Sequence, residues 1–95
     1  MSGGHFNYDQ YKISNIADEV EHLIFTNDSN EENDWGGVKG NHFSKETIDE
    51  FNKGLKILRE ACVYAQRIDW LVSCDDSQES FHKRLKIELD KLENE

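Results

Sequence analysis

The chain has 95 residues, 36% hydrophobic and 33% charged, with no proline and six glycines; 20 Asp and Glu against 11 Lys and Arg leave a net charge of −9. A chain of that length makes one domain, residues 1–95, whose thin apolar core makes a homo-oligomer the expected state. The negative charge repels a phosphate backbone and excludes non-specific nucleic-acid binding, and no window approaches the ~20 apolar residues of a membrane span.

The N-terminal arm, residues 1–8, opens MSGGHFNYDQY. It lacks the basic and apolar regions of a signal peptide, which points to the cytoplasm. His5, Phe6, Tyr8 and Tyr11 are clustered there, residues that stack on rings and hydrogen-bond at little entropic cost. Either the arm docks with Phe6 and Tyr8 over an exposed helix face, or it forms one wall of a pocket.

From about Asp9 to Phe25, Ile13, Ile16, Ala17, Val20 and Ile24 repeat at helical spacing, with Asp18, Glu19 and Glu21 outward and Asn7 or Asp9 as N-cap. Tyr11 points away from that stripe. Residues 26–42, TNDSNEENDWGGVKGNH, lose all period and read as a long flexible loop in which Trp35 is a docked plug or a hairpin tip.

Ser44 announces the second helix as N-cap, with Phe43 and Ile48 placed for a hydrophobic staple, and the period runs through Phe51, Leu55, Leu58, Cys62 and Ala65 to about Val72. A second apolar row, Ile57, Ala61, Tyr64, Ile68 and Leu71, requires cover from other helices or another subunit. Residues 73–77 break the pattern in a tight hairpin, and Asp76 with Glu79 forms a capping box for a last helix reaching about Leu92, its stripe Phe81, Leu85, Leu89 and Leu92. The expected fold is all-α, three helices with the middle one longest.

Asp69 falls on the same stripe as Leu58, Cys62 and Ala65, where an unpaired carboxylate costs several kcal/mol and demands a partner. Arg84, across the hairpin, is the expected one. Arg67, Ser73, Asp75, Asp76 and His82 gather within two turns, as candidate ligand contacts or as ordinary turn, cap and surface residues. No metal-ligand spacing exists among His5, His22, His42 and His82, no cofactor is implied, and a Cys74–His82 nucleophile pair would lack an orienting third group.

The segments SGGHFNY, YKISNIADEVE and YAQRIDWLVSCDDSQESFHKRL together resemble a family of small, largely uncharacterised proteins encoded by bacteriophages and prophages, over roughly two thirds of the chain. The resemblance implies a phage origin, hence a host-cell cytoplasm, and a compact helical fold; it carries no activity. At the turn the family reads SGDDG, where this chain has Ser73, Cys74, Asp75, Asp76 and Ser77; loss of both glycines argues against any role there needing positive φ.

Two functions follow as expectations. In the first, a non-catalytic oligomer sequesters a polar, nucleotide-like host signal in counter-defence: Tyr8, Tyr11 and Trp70 stack, His5, Arg67 and Arg84 meet anionic groups, and Asp69 and Asp76 orient the arginines or accept from a sugar or base. In the second, an acidic inhibitor covers the nucleic-acid site of a host enzyme. A small enzyme is the minority reading.

Overall fold

A computed structural model describes residues 4–32, 36–37 and 40–94. Among them are the three expected helices and no strand: α1 (Gln10–Phe25), α2 (Lys45–Val72) and α3 (Gln78–Glu93). α1 and α3 each pack on α2 and not on each other. The Cα envelope of 52 × 27 × 15 Å is therefore wide and shallow, with α2 as a spine and the other two helices splayed along it.

The termini of the helices follow local chemistry. Ser44 sits in extended conformation and accepts from the Thr47 amide, as expected of the N-cap of α2, and Phe43 meets Phe51 edge to face at 5.6 Å. α3 is capped by Ser77, which accepts from the Ser80 amide. The expected Asp76 capping box does not form, because the Asp76 side chain is turned inward to the arginines. Neither cap candidate of α1 acts through its side chain: Asp9 flanks the helix without a capping bond, and Asn7 is used in a turn before it.

α2 ends in a Schellman motif, with the Asp75 amide donating to Trp70 O at 2.9 Å and the Cys74 amide to Leu71 O at 3.2 Å. Cys74 occupies the left-handed position of that motif at φ 63°. The expectation that positive φ is absent from this turn is therefore overturned. The hydrogen bonds hold a cysteine where a glycine would be unstrained.

The connection from α1 to α2 is closed at its neck by Asn27, which is buried. Its Oδ1 accepts from the Phe43 amide at 2.9 Å, its Nδ2 donates to Phe43 O at 3.1 Å, and its own carbonyl accepts from the His42 amide. Gly40 is pressed into the same neck: a Cβ there would lie 2.5–2.7 Å from the carbonyl oxygens of Thr26, Asn27 and Ser29. Residues 26–42 are therefore not a free tether at their two ends. Trp35, expected as a plug, lies outside the described residues.

Ion pairs tie the splayed helices to the spine. Arg59 on α2 reaches Asp18 at 2.9 Å and Glu21 at 3.4 Å on α1, two acids that stay largely exposed as expected, and Lys56 meets Glu93 on α3 at 2.9 Å. Apolar burial is slight. Among the described residues Ala17 is the one buried apolar residue, and the largest side chain fully withdrawn from solvent is Asp69.

Candidate functional site

The α2 stripe carries Asp69 inward as its spacing requires, with 0% exposure. The expected partner is wrong. Asp69 is held by neutral donors from the N-terminal arm and α1: its Oδ1 accepts from the His5 amide at 2.8 Å and the Phe6 amide at 3.3 Å, and its Oδ2 from Gln10 Nε2 at 2.9 Å. Two consecutive main-chain N–H groups converging on one oxygen make an anion-binding turn, here filled by the protein's own carboxylate. The Ser73 hydroxyl adds a longer contact of 3.5 Å. Arg84 is excluded because the hairpin carries it to Asp76 instead, 3.7 Å away.

Docking the arm in this way forces a turn at Phe6–Asp9, closed by the Asp9 amide on Phe6 O at 3.0 Å, with Asn7 at φ 55° and Tyr8 at φ 62°. Asn tolerates that region. A tyrosine held there costs about 1–2 kcal/mol relative to a right-handed conformation. The turn sets the Tyr8 ring parallel to Tyr11, centroids 6.3 Å apart and planes at 21°, and both rings stay about half exposed. The arm does not cover the second row of α2: Ile57, Tyr64 and Ile68 remain exposed.

Gln10 was missed by the sequence reading, yet it sits three and seven residues before Ile13 and Ala17, on the buried stripe of α1, where its amide raises the same question as Asp69. It is 5% exposed. Its Nε2 donates to both Asp69 Oδ2 and Gln66 Oε1, each at 2.9 Å. The reverse orientation of the amide would set an oxygen against two acceptors, so Asp69 fixes which way Gln10 points. Its Oε1 is left buried with no hydrogen-bond partner.

Gln10 separates two cavities. One, of about 370 Å³, lies under the arm against Phe6, Asn7, Ile13 and Ala65. The other, of about 260 Å³, is a groove running over α2 between the flanking helices: Gln10, Tyr11 and Ser14 of α1 form one side, Cys62 and Gln66 of α2 the floor, and Glu88 of α3 the other side. Burial pushes the Cys62 thiol up, against a weaker opposing pull from Arg59, so the groove floor offers no thiolate.

Beyond Glu88 lies a second polar cluster. Arg67, expected at the surface or on a ligand, is 3% exposed; its guanidinium stacks over Trp70 at 4.0 Å and reaches Glu88 at 3.8 Å and Asp76 at 3.9 Å. Asp76 is nearly as buried and holds Arg84 on its other oxygen. None of these three pairs is short enough to be a hydrogen bond, and Arg67 Nε and Asp76 Oδ2 are both buried without one. Of this group Arg84 alone, with half its side chain exposed, faces outward, one helical turn from Glu88.

Thus the structure joins His5, through its main chain, to Asp69, pairs Tyr8 with Tyr11, and links Arg67, Trp70, Asp76 and Arg84. The first and last of these groups connect through Gln10, the groove and Glu88. Cys74 and His82 are both exposed, share no hydrogen bond, and the His82 ring meets Phe81 edge-on. Among the described residues no three His, Cys, Asp or Glu side chains gather in a way that could hold a metal ion, and no helix is long and apolar enough to cross a membrane. No family model matches the chain, and neither a curated protein nor a solved structure does.

Proposed function

We propose that this chain is a non-catalytic binding protein that captures a small, polar, nucleotide-like ligand in the groove between α1 and α3. Gln10 carries the reading. Its amide nitrogen is committed to Asp69 and Gln66, and its oxygen is left buried and unpaired beside the groove, an acceptor that a ligand N–H would satisfy. The Tyr8 and Tyr11 rings offer a stacking surface, Glu88 a further acceptor, and Arg84 a cation for an anionic group. A planar ring bearing amino groups and joined to a phosphate matches that set. Arg67 and Asp76 contribute by holding Glu88 and Arg84 in position, not by touching the ligand.

Capture needs affinity and no turnover. Joined to the resemblance to phage proteins, this reads as withdrawal of a host signalling molecule in counter-defence. The acidic-inhibitor reading asks for one continuous acidic face. Among the described residues, carboxylates on all three helices are engaged with Lys or Arg, so no observation favours it.

Calorimetric titration against a panel of cyclic and linear nucleotides tests the proposal. At least one should give saturable heat and be recovered unchanged by mass spectrometry. Tyr11→Ala should weaken it roughly ten- to a hundredfold, the loss of one stacked base. No heat with any member of the panel would overturn it.

A further inference from the structure

We infer that the uncharged ridge of α2 from Ile57 to Val72 is the face on which a second copy of this chain packs, antiparallel about a two-fold axis near Tyr64. The first support is that the single chain is too open to be a finished globule. Its radius of gyration is 17.2 Å. A compact domain of this length has about 12.4 Å. Its accessible surface is 7066 Å² for 11.1 kDa. A folded monomer of that mass exposes about 5,700 Å², so the excess is larger than the roughly 800 Å² that one partner contributes to a standard interface.

The second support is where the apolar surface lies. At 100° per residue, Gly54, Ile57, Ala61, Tyr64, Ile68, Leu71 and Val72 share a sector roughly 100° wide, and no charged residue interrupts it. Ile57 is 64% exposed, Val72 46%, Tyr64 44% and Ile68 37%. In a chain of net charge −9, an uncharged stretch over five helical turns stands apart from the remaining surface. It lies roughly opposite Cys62 and Gln66, on the far side of the spine from the groove. The arm, α1 and α3 are all engaged elsewhere and leave it bare.

The pattern is self-complementary, as a two-fold interface must be. In an antiparallel pair centred near Tyr64, Ile57 meets Val72, small Ala61 meets the larger Ile68, and Tyr64 stands near the axis, where a hot spot belongs.

This inference does not rest on the ligand reading, since groove and ridge lie on opposite sides of α2, and either can fail alone. Sedimentation of the full chain at micromolar concentration should give twice 11.1 kDa or a higher even multiple. Association should tighten as salt rises, because screening removes repulsion between two acidic copies. In a chain with Cys62→Ala and Cys74→Ser, Tyr64→Cys should form an intermolecular disulfide on mild oxidation, and Ile16→Cys, on α1, should not. A monomer at all salt concentrations, or equal cross-linking from both positions, would overturn the assignment.

Discussion

Asp69 and Asp76 lie seven residues apart, and both side chains are almost wholly withdrawn from water, but they are held in opposite ways. Asp69 accepts short hydrogen bonds from two main-chain amides and one side-chain amide. Asp76 has two arginines near it, at 3.7 and 3.9 Å, and one oxygen that no donor reaches. A carboxylate closed by neutral donors on fixed backbone is a structural clasp. A carboxylate among loosely spaced cations leaves room for Arg67, Arg84 and Glu88 to rearrange. The clasp fixes the Gln10 amide where it lines both cavities, while of the looser cluster Glu88 lines the groove.

The strongest way to break the contrast is Asp69→Ala. It strands three donors that had a charged acceptor and should cost about 3–5 kcal/mol in denaturant unfolding, with the arm released. Asp69→Asn keeps an acceptor for the His5 and Phe6 amides but sets an NH₂ against Gln10 Nε2. Its cost should be smaller, about 1–2 kcal/mol, and it should also weaken the proposed ligand binding by unsettling Gln10. Asp76→Asn should cost about 1 kcal/mol or less, because no hydrogen bond is lost and Arg67 keeps Glu88 and Trp70. An equal cost for Asp69→Asn and Asp76→Asn would erase the distinction. The smallest effect has the opposite sign: Cys74→Gly, in the turn between the two acids, should raise stability by about 0.5–1 kcal/mol by relieving the left-handed cysteine.

How far these features were legible in the sequence depends on whether side chains or main chain carry them. The spans of α2 and α3, the Ser44 cap and the burial of Asp69 all follow from side-chain spacing, and the structure has them. The partner of Asp69 was misread because its donors are chiefly the amides of His5 and Phe6, and an N–H belongs to every residue but proline. Sequence distance favoured Arg84; it could not show that the arm folds back across more than sixty positions. Gln10 was within reach, since a polar residue on an apolar stripe is the same signal that exposed Asp69. The left-handed Cys74 was not, because the identity of the residue argued against the conformation that the Schellman hydrogen bonds impose. Asp76 satisfied a capping pattern that Ser77, one residue later, satisfies better.

The clasp between Asp69 and the N-terminal arm holds the Gln10 amide in place, and amide hydrogen exchange reads it most directly. In the unaltered chain the His5 and Phe6 amides should exchange far more slowly than free peptide, and Asp69→Ala should return both to free-peptide rates while the centre of α2 stays protected. Free-peptide exchange at His5 and Phe6 in the unaltered chain would contradict the account, for the arm would then be undocked and Gln10 would have no fixed orientation.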